Sequence, residues 1–201
     1  MTVVHWDDRP GDDLAAAVGA DWACLRRLTI GPGEPLQLDS DDRETVVWML
    51  DRDATVVRRP EDPERSVRSE SPLDVLVFAT GAGRAGRMTS PRPDVVLRPS
   101  ELPGERIVDG LTSIRRYEVG EPAGAISAGV ELIDVAPSRL SFPVLDLEEV
   151  SVVLRGTGRA ILEGQESWVV RGNVVGQGER FVAGPQGLRV LSFRERPQPP
   201  G

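Results

Sequence analysis

The segment Leu28–Val57 (LTIGPGEPLQLDSDDRETVVWMLDRDATVV) overlays Ile133–Leu162 (IDVAPSRLSFPVLDLEEVSVVLRGTGRAIL) without a gap, 105 positions further on. Pro32 falls on Pro137, Asp41 on Asp146, Glu44 on Glu149 and Val47 on Val152. Each copy passes through an apolar strand, a Pro turn, an acidic stretch, a Glu, a second apolar strand and a polar turn. A period near half the chain length predicts two copies of one β unit.

The rest of the chain agrees with a β fold. Asp12-Asp13 before Leu14–Val18, stopped by Gly19, reads as one short capped helix. After it come short runs rich in Val, Leu and Ile, separated by Gly, Pro and Asp: Trp22–Ile30, Glu44–Leu50, Ala54–Arg58, Leu73–Ala79, Asp94–Leu97, Ser113–Val119, Gly129–Val135, Glu148–Arg155, Ser167–Val170 and Leu188–Phe193. That spacing favours a sandwich or barrel. Arg59–Ser71 reads as a loop and Thr80–Pro93 as a linker or lid. GAGRAG within the latter lacks the Lys-Ser/Thr ending and following helix of a phosphate loop.

Several chemistries are excluded by what the chain does not contain. There is no Lys, so a lysine Schiff base is impossible. His5 is the only histidine, on an N-terminal arm, so a Ser-His-Asp or Cys-His mechanism lacks a plausible base. Cys24 is the only cysteine and cannot form an intrachain disulfide; on an apolar strand it reads as a small buried hydrophobe. A net charge of −8, with arginines scattered among carboxylates, argues against a nucleic-acid partner. No apolar run approaches the ~20 residues of a membrane span. The acidic start has no signal-peptide character, so a cytoplasmic protein is expected.

The second half resembles the cupin superfamily. Glu149 and Gly156 in LEEVSVVLRGTG have the separation of its first motif; Gly172–Gly178 and the closing strand Leu188–Phe193 are similar to its second. Asp42-Arg43-Glu44 and Ser71–Gly81 look like a degraded first copy. A more distant likeness is to the 5-deoxyglucuronate isomerase family, on Gly19–Trp22, Gly31–Glu34, Asp42–Glu44, Val130-Glu131, Ser141–Pro143 and Asp146. The resemblance implies an all-β bicupin, two jelly-roll-like double-stranded β-helix barrels in tandem. The expected parts are an arm with a short helix (1–21), a degenerate barrel (22–98), a second barrel (99–194) and a disordered tail (195–201). Such barrels commonly hold a metal on two or three His and one Glu. Here Glu149 keeps the carboxylate, but the His positions fall on Pro143 and Leu145, or Phe142 and Val144, and near Arg180 or Phe181. The first copy offers Leu38 and Ser40. No metal or other cofactor is therefore expected. Glu44, Asp146, Glu148 and Glu149 together would suit at best a hard cation.

By the cupin analogy Glu149 points inward, with Ser151 and Val153 on its face. A carboxyl in an apolar cavity has a raised pKa and exchanges protons near neutrality. The alternative is a structural Glu paired with Arg180 or Arg116. Glu131 alternates with Ile133 and Val135 and is placed in the same cavity, and Tyr117 is expected to orient or protonate a substrate. Ser151, Trp168, Arg180, Arg115 and Phe142 are the expected substrate contacts. Trp48, on the face of Glu44, would fill the smaller barrel. Two functions compete: a metal-independent isomerase or cyclase acting on a small molecule, with bacterial natural-product biosynthesis as its expected setting, and a non-catalytic bicupin that binds a small ligand or acts as an assembly partner. Resemblance also implies a homodimer.

Overall fold

The computed structural model describes residues 2–38, 43–58, 65–80, 96–123, 125, 128–141, 149–162, 164–176 and 180–196. The strands are β1 Thr2–His5, β2 Ala23–Ile30, β3 Leu36–Leu38, β4 Thr45–Met49, β5 Ala54–Arg58, β6 Arg65–Val67, β7 Leu73–Thr80, β8 Glu105–Asp109, β9 Thr112–Glu118, β10 Ala128–Val135, β11 Glu149–Leu162, β12 Gln165–Val170, β13 Asn173–Gly176 and β14 Arg180–Glu195. One short helix, α1 (Leu14–Ala17), precedes β2. Asp13 caps it by accepting from Ala15 N and Ala16 N, and Gly19 ends it at φ 82°. The same Asp13 Oδ1 accepts from Leu25 N at 3.0 Å, which fastens the helix to β2, an edge strand.

An eight-stranded sheet runs β1-β13-β11-β14-β10-β9-β8, with β12 also paired to β11. A four-stranded sheet runs β2-β7-β4-β5, and β3 pairs β6. All these pairings are antiparallel. The order β10-β14-β11-β12 in the larger sheet reproduces β2-β7-β4-β5 in the smaller. The unit read from the sequence is thus duplicated in the structure, and the chain is all-β.

Strand alternation sorts the apolar residues into three clusters. Val153, Val175, Leu188, Val190 and Ile114 lie in one, drawn from strands along the whole larger sheet, which is therefore rolled around them. Ile30, Val47, Val56, Val67 and Val75 fill the space between the four-stranded sheet and the β3–β6 pair. The third and largest joins the halves: Leu25, Val46, Trp48 and Phe78 of the first against Val130, Val152, Leu191 and Phe193 of the second. Phe78 and Phe193 stack there with ring centroids 4.5 Å apart.

Several expectations need correction. The repeat is not gapless. Leu28 and Ile133, which it aligns, both turn inward, but Val47 faces its own barrel whereas Val152 faces the other half. One residue of slip between the first and second strands of the unit turns every later side chain over. The structural partner of Glu149 is therefore Thr45, not Glu44. Trp48 does share a face with Glu44, but that face meets the second half rather than filling the first barrel; Glu44 Oε1 accepts from Ala128 N at 2.7 Å across the junction. The N-terminal arm contributes β1 to the second half's sheet, where His5 pairs with Asn173. Residues 65–67, read as loop, form β6 because Val67 is needed to cover the first barrel. β8 and β13 were not anticipated, and β14 starts eight residues before the expected strand; of the expected strand Asp94–Leu97, Asp94 and Val95 lie outside the described residues, and Leu97 forms an isolated bridge to Thr55. The linker reading of Thr80–Pro93 lies outside the described residues except for Thr80, which ends β7. Among the described residues no helix is long and apolar enough to cross a membrane.

Candidate functional site

The inward faces of β11, β14 and β10 carry the candidate site. Register sets Glu149 opposite Arg194, Ser151 opposite Ser192, and Ser192 opposite Glu131. The next inward row is Val153, Val190 and Ile133, which begins the apolar floor. Glu149, Ser151, Ser192 and Glu131 are all buried. Ser151 Oγ donates to Glu149 Oε1 at 2.7 Å and lies 2.9 Å from Ser192 Oγ.

Neighbouring cations are engaged elsewhere. Arg194 Nη2 donates to Glu131 Oε1, and Arg116 donates to Glu105 Oε2 at 2.7 Å while standing 4.0 Å from Glu131 Oε2. Glu131 collects the positive charge, and Glu149 is left with hydroxyls. Burial pushes the Glu149 carboxyl above its ordinary value; the Ser192 and Ser151 hydroxyls oppose this, the Glu131 charge adds to it, and Arg194 offsets part. The outcome is a buried carboxyl with a raised pKa, 2.7 Å from the Ser151 hydroxyl, which in turn lies 2.9 Å from Ser192 Oγ.

The expected site residues are thus divided. Glu149, Ser151 and Glu131 come together, and Ser192 and Arg194 join them. Ser192 was missed because the closing strand (Leu188–Phe193) was read only as apolar, and Arg194 because that strand was ended before it, whereas β14 runs to Glu195. Arg116, weighed as a partner of Glu149, pairs with Glu105 and Glu131 instead. Tyr117 and Arg115 lie on the opposite face, since Leu132 and Asp134, their partners on β10, point away from the interior. The tyrosine ring packs on Gly104, where a Cβ would come within 2.6 Å of it. Both line an outer groove of about 580 Å³ with Arg106, Arg155, Arg189 and Gln186. Trp168 is 76% exposed on β12. Arg180 is exposed at the start of β14, opposite Ile161 and twelve residues along β11 from the level of Glu149. Phe142 lies outside the described residues.

The motif glycine Gly156 has a backbone role. It sits at φ 86° beside a register shift of β11, where a Cβ would meet Gly187 O at 2.2 Å. Among the described residues, the groups at Glu149 are Ser151, Ser192 and Glu131, a set that does not fit a cupin transition metal. His5 Nε2 is bonded to Arg171 O at 3.0 Å on β1, and among the described residues no three His, Cys, Asp or Glu side chains are grouped as a metal would need.

No protein-family model matches the chain, and no curated protein matches it. Solved structures do match. An IolB-like protein from Salmonella typhimurium aligns with a TM-score of 0.67 at 13% identity, over 99% of this chain and 94% of that one. An oxalate decarboxylase of Lactobacillus farciminis, in complex with formate, gives 0.70 at 9% identity, over 98% and 87%. The Mn(II)-containing oxalate decarboxylase of Bacillus subtilis gives 0.68 at 10% identity, over 100% and 78%. These neighbours are cupin-fold proteins, and the chain has that fold.

Proposed function

We propose that the second barrel binds a small organic molecule at the Glu149 end and catalyses an isomerase- or cyclase-type reaction without a metal. The observation that carries this reading is a deeply buried carboxyl hydrogen-bonded to serines, with neighbouring arginines bonded to other carboxylates. Glu149 gives its proton to a substrate oxygen or carbon and recovers one as the new bond pattern forms, so the cycle is proton-neutral. Ser151 and Ser192 carry the proton or hold the substrate oxygen. Isomerisation, epimerisation and ring closure need no more than this, and ring closure of that kind suits bacterial natural-product biosynthesis. Two such chains are proposed to pair as a homodimer, which sedimentation would check.

The test is infrared difference spectroscopy of wild type against Glu149→Gln at neutral pH. A protonated-carboxyl band present in the wild type and missing from the variant supports the reading. An ionised Glu149 at that pH removes it as the acid. Turnover in a screen of small hydroxy- and keto-acids should vanish in the same variant while its melting is retained. A second reading, a non-catalytic ligand-binding barrel, is favoured by the apolar floor of Val153, Val190 and Leu188, which are buried together.

A further inference from the structure

Arg58 ends β5 with only 1% of its surface exposed. Ala54, Val56 and Arg58 share one face of that strand, and Ala54 and Val56 belong to the cluster inside the first barrel. The guanidinium therefore enters that interior. Its Nε and Nη1 have no hydrogen-bond partner among the described residues.

Register places Thr45 directly opposite Arg58, then Ala79 and Cys24 in the same row. Thr45 is buried, whereas Ala79 and Cys24 are half-buried, so the row runs from the arginine fork past a hydroxyl and over a small side chain towards solvent. The matching row of the second barrel holds Glu149 and Arg194. Where that barrel has a carboxylate, this one has Thr45, and the buried cation is left without an anion from the sheet.

An arginine cannot shed its proton, and a buried guanidinium with unfilled N–H groups is costly. Its planar fork matches the two oxygens of a carboxylate or phosphate. We propose that the interior of the first barrel binds a small oxyanionic ligand, an organic acid or a phosphate ester, through Nε and Nη1 of Arg58 with the Thr45 hydroxyl alongside. This site is separate from Glu149 and does not rest on any role for it.

The experiment is calorimetric titration at fixed ionic strength with acetate and with inorganic phosphate, into wild type, Arg58→Lys, Arg58→Met and Glu149→Gln. At least one probe should saturate near one equivalent per chain in wild type and in Glu149→Gln. Arg58→Lys, which keeps the charge but not the fork, should bind at least tenfold more weakly, and Arg58→Met should not bind. Which probe wins separates a carboxylate from a phosphate ligand. Without probe, Arg58→Met should melt no lower than wild type, because an unpaired buried cation has been removed. Absence of saturable binding of either probe to wild type would overturn the proposal, as would wild-type affinity in Arg58→Lys; should Arg58→Met fail to fold, those two results decide alone.

Discussion

The two barrels share a frame and differ at one end. Row by row, Met49, Val75 and Leu28 in the first correspond to Val153, Val190 and Ile133 in the second, and both rows are apolar. The next row is Val47, Val77 and Arg26 against Ser151, Ser192 and Glu131. The last is Thr45, Ala79 and Cys24 against Glu149, Arg194 and Gly129. Divergence is confined to the two rows at one end. The apolar rows hold the sheets together, and the end rows differ: a buried carboxyl in one barrel, and in the other a guanidinium whose Nε and Nη1 have no partner among the described residues.

The outer faces behave differently again, because they hold the halves together as one body. Phe193→Ala should cost about 3–5 kcal/mol, since it removes a buried ring stacked on Phe78. Urea unfolding followed by tryptophan fluorescence and by far-ultraviolet circular dichroism should show one coincident transition, shifted down. Two separated transitions would mean that the halves are independent and that the comparison describes two neighbours, not one core. Glu44→Ala should come next, at about 1–3 kcal/mol, because it strips the buried Ala128 N–H of its acceptor. A loss below this range in the same denaturation would show that the junction does not use Glu44.

Much of the frame was legible from the residues. The paired apolar strands and the helix capped by Asp13 followed from alternation and turn residues, whereas the inward placement of Glu149, Ser151 and Glu131 rested on the cupin resemblance, with alternation naming only which residues share a face. The gapless repeat failed because identities at Pro, Asp and Glu fix spacing along the chain, not the face of the sheet; one slipped residue made Glu44 look like the twin of Glu149 when Thr45 is. Tyr117 and Arg115 went to the wrong face because alternation within β9 does not say which face is inside; only pairing with β10 does. Arg180 was placed by its closeness to a cupin His position and Trp168 by its place on a strand, and neither signal reports that both side chains are exposed, Trp168 by 76%. Arg58 could not be singled out at all, since a terminal strand arginine looks the same whether buried or solvated.

Acid–base behaviour sharpens the comparison further. Glu149 has a folded-state pKa raised above the ordinary 4.5, so the folded protein holds a proton that the unfolded chain releases. Its contribution to stability is full below about pH 4.5 and is lost as pH rises through the raised value. Glu149→Gln removes that slope. The difference in melting temperature between variant and wild type should therefore shift in the variant's favour as pH is raised through this window; a flat difference would mean that Glu149 ionises normally.

The smallest expected effect lies in Ser151→Ala, which makes this row of the second barrel more like the Val47–Val77 row of the first. One hydroxyl that favours the ionised carboxylate is withdrawn, so the Glu149 pKa should move further up, and the pH window of the wild-type protein should move with it. The stability cost should be about 1 kcal/mol, the net worth of one exchanged hydrogen bond, because Ser192 and solvent-free packing remain. The carboxyl stretch of Glu149, followed through a pH titration in both proteins, reads the direction. A downward shift would mean that the serines do not act on this carboxyl as donors, and the relay through Ser151 would have to be abandoned while the buried acid itself survived.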